Sequence, residues 1–446
     1  GVMSGLPEPF GKASAATSLP LHLEVQGRAA QAQLHLALGE RLHGVGLLSR
    51  SGERWRIERG ALRLGAGTPE LPGAPVIALE GRVARLDLPA YLALWQQVAA
   101  AQRLPPVQAR LSTPELIAGH AYGEAQVTAT GTRAGAQVSV EAAQLHGVLH
   151  WPASPDAANP ALVQLRGLDG SAEDAALVAQ LPALLGPAVE LRVDDFRWQG
   201  RSLGRLHAQL GSAGGGLQVR ELSLRGAQQE LRGSLECAPQ ARCAAHVSLS
   251  SSNLARTLAD YGLRTDVDAL RAQLQGNLEW PQGSSAPLAT LSGDLHMQLE
   301  EGTTQAAATD TREPFALFLV PGLLQGLLAQ ADRTPGSARL RFGRVTADFS
   351  LHDGVARTAN LHLDGADAEI LVRARVNLLA RDYDGEAFIL RGEERLPSAL
   401  RGLGPTPRMA ALWLSLRQWF SGSTVEDTGR LRLRGAWNDP IVVAAQ

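Results

Sequence analysis

Apolar residues recur at every second position through most of the 446-residue chain, and that single pattern argues against a helical body. In an extended strand successive side chains point to opposite faces, so the alternation gathers the apolar ones on one side. It is clear in LHLEV (21–25), QLHLAL (33–38), RWRIE (54–58) and ALRLG (61–65). It returns in VSVEA (138–142), VELRVDDFRW (189–198), LQVRELSL (217–224), LRGSLEC (231–237), ARLRFG (338–343), NLHLDG (360–365) and RLRLRG (430–435). Turn-forming strings such as GSAGGG (211–216) and LHDG (351–354) separate these segments at hairpin spacing. The expected fold is mainly β: a long, twisted, curved antiparallel sheet forming an open groove, with a few short helices.

Helical texture is confined to five stretches, Pro89–Gln102, Glu173–Leu185, Asn253–Tyr261, Phe315–Ala331 and Pro407–Phe420. A weak repeat also runs through the chain. LHGVLHWP (145–152) and LQGNLEWP (274–281) share the frame L-x-G-x-L-x-W-P, with Trp151 and Trp280 standing 129 residues apart, and LRGAWNDP (433–440) is a looser third copy. Such repetition marks a body whose modules bury one another's faces. It divides the chain into three β modules: 1–152 with the helix at 89–102, 153–281 with helices at 173–185 and 253–261, and 282–446 with helices at 315–331 and 407–420.

Composition removes several classes of function. Basic and acidic side chains nearly balance, 42 against 44, so no electrostatic footprint for nucleic acid exists. Hydrophobic residues reach 45% while aromatics are only 4%, which leaves little ring surface for stacking bases. No leader is visible at the start, and the opening reads as a cut within a longer protein. The longest apolar run, from Phe315 to Leu328, has 14 residues and contains Pro321, short of the roughly 20 that span a bilayer.

Catalytic and metal motifs fail on context. GRSLG (200–204) matches the serine-hydrolase elbow with Ser202 as nucleophile, but an alternating segment follows it where a helix is required. His146 and His150 share a strand face about 13 Å apart, too far for one ion. Asp194 and Asp195 point to opposite faces, and Asp382 and Asp384 lie in a turn. No enzyme, cofactor or metal site is expected. Cys237 and Cys243 flank a short loop between two alternating segments, so a hairpin would bring the sulfurs together; a disulfide suited to an oxidising compartment stands against two reduced core thiols.

The opening LPEPFGK, the L-x-G-x-L-x-WP frames, the block from Gly343 to Asp384 and the terminal LRLRGAWNDP together resemble the C-terminal third of the YhdP branch of the AsmA-like superfamily. The resemblance implies a periplasmic portion of a longer protein anchored in the inner membrane by a segment outside this chain. It implies a conduit whose partners are phospholipid and the inner and outer membranes, with other envelope proteins as further partners.

Physical reasoning points the same way. An antiparallel sheet with one apolar face must cover it, and few helices are available to do so. Exposing one 16-carbon acyl chain to water costs about 13 kcal/mol at about 0.8 kcal/mol per methylene, so an aliphatic track would remove a large barrier. Lining candidates are Leu62, Leu64, Val138, Val140, Leu191, Val193, Leu217, Val219, Val247, Leu249, Leu361, Leu363, Ile370 and Val372; the alternative is ordinary core beneath the helices. Met409, Leu412, Trp413, Leu416, Trp419 and Phe420 form an amphipathic set suited either to a bilayer interface or to docking on the sheet. The rival function is an envelope scaffold that docks other proteins and carries no lipid. Thiol titration of the native protein is expected to find no free thiol, and two after reduction; two free thiols before reduction would remove the disulfide.

Overall fold

The computed structural model describes residues 20–444 apart from 29, 102–104, 171, 214–215, 239–241, 263–266, 283–288, 306–338, 367, 392–394, 397–405, 408, 410–411, 413–428 and 437–438. The fold is mainly β, with 26 strands and three helices among the described residues. Two compact units divide the chain, one holding residues 1–200 with 205–212 and the other 201–204 with 213–446. The Trp-Pro frames of the repeat therefore lie inside the units, Trp151 in the first and Trp280 in the second.

The first unit contains β1 (Leu21–Arg28), β2 (Gln31–Leu38), β3 (Leu42–Ser51), β4 (Arg54–Leu64), β5 (Ile77–Arg82), β6 (Leu86–Asp87) and α1 (Leu88–Ala101). It continues with β7 (Val107–Thr113), β8 (Leu116–Ala118), β9 (His120–Ala121), β10 (Ala125–Thr132), β11 (Gly135–Ala142), β12 (His146–Pro152), β13 (Ala161–Asp169), α2 (Ala172–Leu185) and β14 (Ala188–Trp198). Its main sheet runs β1-β2-β3-β4-β5-β7-β10-β11-β12-β13-β14, and β6, β8 and β9 form a small separate sheet. The unit boundary runs through β15 (Arg201–Ala213).

The second unit contains β16 (Gly216–Arg225), β17 (Gln229–Cys237), β18 (Arg242–Ser251), α3 (Leu254–Asp260), β19 (Val267–Pro281), β20 (Ser292–Gln305) and β21 (Arg339–His352). After these come β22 (Val355–Gly365), β23 (Ala368–Asn377), β24 (Asp382–Arg391), β25 (Gly429–Ala436) and β26 (Asp439–Ala444). Each of these strands pairs antiparallel with the next, so this sheet is a meander.

Three pairings in the first unit are parallel: β4 with β5, β5 with β7, and β13 with β14. Helix length explains two of them. A parallel neighbour requires the chain to return to its starting end, and the 14 residues of α1 and of α2 each span roughly 21 Å, about the length of the strands they accompany. The seven residues of α3 span only about 10 Å, and β18 and β19 remain antiparallel on either side of it. Local chemistry sets the ends: Asp87 Oδ1 accepts from the Ala90 amide at 3.0 Å with Pro89 in the first turn of α1, and Asn253 Oδ1 accepts from the Arg256 amide at 2.8 Å at the start of α3. The expected helices at 89–102, 173–185 and 253–261 are thus observed within a residue or so of those bounds. The expected helix at 315–331 lies outside the described residues. Of the one at 407–420, only Pro407, Met409 and Leu412 are described, all three helical.

The glycines of the two full repeat frames occupy matching places. Gly147 of β12 faces Leu165 and Gly276 of β19 faces Leu295 across the ladder. A Cβ on Gly147 would stand 2.5 Å from Leu165 Cδ2 and 2.8 Å from the Gln164 carbonyl; on Gly276 it would stand 2.3 Å from Leu295 Cδ2 and 3.0 Å from the Asp294 carbonyl. Each glycine is a notch filled by the leucine of the next strand, which is why the frame needs Gly between its two leucines. Gly147→Val and Gly276→Val are each expected to lower stability by about 1–3 kcal/mol through overpacking, read as a drop in thermal midpoint; unchanged midpoints would refute the notch.

Candidate functional site

Strand register assembles the candidate surface. In the first unit one row of direct cross-strand partners runs Leu23, Leu36, Gly44, Leu62, Leu79, Ala109, Ala129, Val138, Leu149, Val163, Leu191. It crosses eleven strands, roughly 50 Å at about 4.8 Å per strand, with no polar side chain. A second row on the same face runs Leu21, Leu38, Leu42, Leu64, Gly81, Leu111, Val127, Val140, Gly147, Leu165, Val193. The six sequence candidates in this unit, Leu62, Leu64, Val138, Val140, Leu191 and Val193, all fall on these two rows.

Burial changes along the rows. At the β1 end Leu21 and Leu23 are 65% and 58% exposed, whereas at the β14 end Leu191 and Val193 are 1% and 2% exposed. At the β14 end the cover is α1 and α2, which lie over β11–β14, while in the middle of the second row Leu42, Leu64, Leu111 and Val127 are buried in one cluster with Leu86, Leu116 and Tyr122. Leu88, Pro89 and Leu92 of α1 and Val178, Leu181, Leu184 and Leu185 of α2 face Val138, Val140, Leu149, Val163, Leu165 and Leu191 around a cavity of about 110 Å³. Side chains hold the helices in place. Gln96 Nε2 donates to the Leu184 carbonyl at 2.8 Å, Trp151 Nε1 donates to the Leu185 carbonyl at 2.8 Å, and the Trp95 ring sits over Gly131, where a Cβ would meet it at 2.5 Å. The final carbonyls of α2 gain the donors that a helix C-terminus lacks.

In the second unit a row runs Leu224, Leu231, Leu249, Leu274, Met297, Ala347, and an adjoining one runs Leu299, Val345, Leu363, Ile370, Ile389. Leu361, Leu363, Ile370 and Val372 are at most 1% exposed, and Val219 is 8% exposed. Leu217, Val247 and Leu249 are half-buried. Residues 368–372 depart from simple alternation, because Glu369 and Leu371, on the opposite face from Ile370, are also buried. Glu369 Oε1 pairs with His362 Nε2 at 2.8 Å and Oε2 accepts from the Leu396 amide at 3.0 Å, while Arg395 donates to the Gly365 and Ala366 carbonyls. The continuous run AEILV is the signal for burial on both faces that a reading restricted to period two passes over.

The other face of the second sheet carries cross-strand polar pairs. Arg271 reaches Glu300 at 2.9 Å and Glu301 at 2.6 Å, Asn277 links His246 to Asp294, and His296 Nδ1 lies 2.6 Å from Asp348. The Arg271 hydrogen bond, followed by those of Gln298 and the charge of Arg344, holds the Glu300 carboxyl below its ordinary 4.5. Cys237 and Cys243 stand directly opposite each other in β17 and β18 with their sulfurs bonded, and Cys243 faces Trp280 of the repeat frame on β19. Ser202 lies within β15, with strand rather than helix following it. Among the described residues, no group of three His, Cys, Asp or Glu side chains could hold a metal ion, and no helix is long and apolar enough to cross a membrane. In the amphipathic set Met409 is half-buried and Leu412 is 62% exposed; Trp413, Leu416, Trp419 and Phe420 lie outside the described residues.

The model of the YhdP protein family matches residues 1–440. The intermembrane phospholipid transporter YhdP of Escherichia coli K12 is 28% identical over 131 residues, 29% of this chain and 10% of that protein. The chain's match therefore spans a tenth of that relative's length. Among solved structures, a sex pheromone precursor from Lactobacillus salivarius aligns with a TM-score of 0.11 and 6% identity over 42% of this chain and 68% of its own, too low to carry a fold argument.

Because the folded Glu300 value is depressed, its ion pairing stabilises the protein fully above pH 4.5 and the contribution is lost as pH falls through the lowered value. Glu300→Gln is expected to flatten that part of the stability profile between neutral and acid pH, measured by thermal melts at stepped pH; an unchanged slope would show that Glu300 contributes nothing to it.

Proposed function

This chain belongs to the YhdP protein family, and from that premise we propose that it is a non-enzymatic conduit for phospholipid, carrying acyl chains along the apolar faces of its sheets between the inner and outer membranes. The single observation that carries the reading is the row of eleven cross-strand partners from Leu23 to Leu191, aliphatic except for one glycine. An acyl chain lying along such a row, where it is uncovered, meets aliphatic side chains strand after strand, so the desolvation barrier of about 0.8 kcal/mol per methylene is largely avoided. The activity by which the Escherichia coli relative is named, intermembrane phospholipid transport, supports the same reading. In this proposal the chain works in the periplasm as a portion of a longer protein anchored in the inner membrane. The lining is Leu62, Leu64, Val138, Val140, Leu191 and Val193 in the first unit and Leu217, Val219, Val247, Leu249, Leu361, Leu363, Ile370 and Val372 in the second. Met409, Leu412, Trp413, Leu416, Trp419 and Phe420 supply a membrane contact, and phospholipid is the ligand.

One observation favours the scaffold reading as well. Among the described residues β1 closes the first sheet, with Leu21, Leu23 and Val25 all more than half exposed, and an apolar strand edge can pair with another envelope protein. Polar substitution inside the rows separates the two. Leu62 and Leu249 are half-buried, so Leu62→Asp and Leu249→Asp leave most of the core in place. Lipid extraction followed by mass spectrometry is expected to find phospholipid with the purified parent protein and much less with either variant, while capture of envelope partners stays unchanged. A parent protein free of phospholipid, or variants that retain it fully, would overturn the conduit.

A further inference from the structure

The rows described above are open at the β1 end and covered at the β14 end, and the cover is too close for a lipid. An apolar cavity of about 150 Å³ takes one benzene-sized guest. The space under α1 and α2, about 110 Å³, holds only a few carbons, so an acyl chain following the row from Leu62 to Leu191 cannot pass with the helices seated. We propose that α1 and α2 form a paired, liftable cover over strands β11–β14, and that a phospholipid acyl chain occupies this part of the face only when the cover has moved off it. The inference rests on the conduit reading and adds a gate to it.

The attachments are of a kind that can release. Among the described residues, Trp151 of β12 donates one hydrogen bond to the Leu185 carbonyl at the end of α2 and the Trp95 ring of α1 sits over Gly131, while the Gln96 bond to the Leu184 carbonyl ties the two helices to each other, so that they can move as a pair. The surface bared when the helices lift is the aliphatic face an acyl chain would cover in their place, so lipid exchanges one apolar partner for another. Without lipid nothing replaces the helices, and the closed arrangement prevails.

Gln97 of α1 and Arg133 in the turn after β10 are both exposed and flank the Trp95–Gly131 contact, and the bonded native cysteines leave them free for selective labelling. Spin labels on Gln97→Cys and Arg133→Cys are expected to show a longer separation after loading from vesicles of phosphatidylethanolamine and phosphatidylglycerol than in lipid-stripped protein. A flexible bismaleimide joining the same two cysteines is expected to abolish loading, while a monofunctional maleimide on them leaves loading intact. An unchanged separation in a sample that has demonstrably bound lipid, or equal loading of cross-linked and singly labelled protein, overturns the cover and leaves the conduit standing. Failure of the singly labelled protein to take up lipid at all, with its melting point preserved, removes the conduit and the cover together.

Discussion

Everything in this molecule follows from the need to cover one side of an alternating sheet. A strand that is apolar at every second position gains its stability only when that side leaves water, at roughly 25 cal/mol per Å² of apolar surface buried. The ladder delivers all such residues to the same side, strand after strand, because antiparallel and parallel partners alike keep their side chains in register. The rows from Leu23 to Leu191 and from Leu21 to Val193 are the direct result. What then differs along the chain is what does the covering.

At β11–β14 two helices provide it, and they do so because of where the chain must go. β13 is followed by α2 and then by a parallel β14, so the helix returns across the sheet and must lie on one face. α1 returns before β7 on that same face, and the two meet over Leu149, Val163 and Leu191. Toward β1 Leu21 and Leu23 stand open, while Leu42 and Leu64 between them and the helices are buried. In the second unit the face bearing Leu363, Ile370 and Val372 is buried to the last few per cent, and on the opposite face Glu369 and Leu371 are buried as well, Glu369 accepting from the Leu396 amide. The apolar face is thus open at one end of the first sheet, covered by helices at the other, and buried as core in the second unit.

Much of this was legible in the residues. Alternation in VSVEA, VELRVDDFRW and NLHLDG marks β11, β14 and β22, and Val138, Leu191 and Leu363 indeed point to the apolar side. The frame L-x-G-x-L-x-W-P marks two equivalent strands, and its glycine acquires a reason once Leu165 and Leu295 are seen to fill the notch. Other features were hidden. That β4, β5 and β7 run parallel depends on how long a crossover is and which edge it returns to, and neither leaves a trace in local periodicity. That Gln96 and Trp151 serve the end of α2 depends on contacts 88 and 34 residues away in sequence.

The sequence by itself determined the class of fold and the sidedness of its strands, because the period of two is a local property that the extended backbone converts directly into a face. It also marked the places where helices interrupt the strands, through the loss of the two-residue period at 89–102, 173–185 and 253–261. Only the tertiary structure decided which strands became neighbours, which rows ran unbroken from edge to edge, and where the apolar side lay bare or beneath α1 and α2. Those outcomes turn on crossover direction and on contacts between distant segments, and no local pattern encodes either.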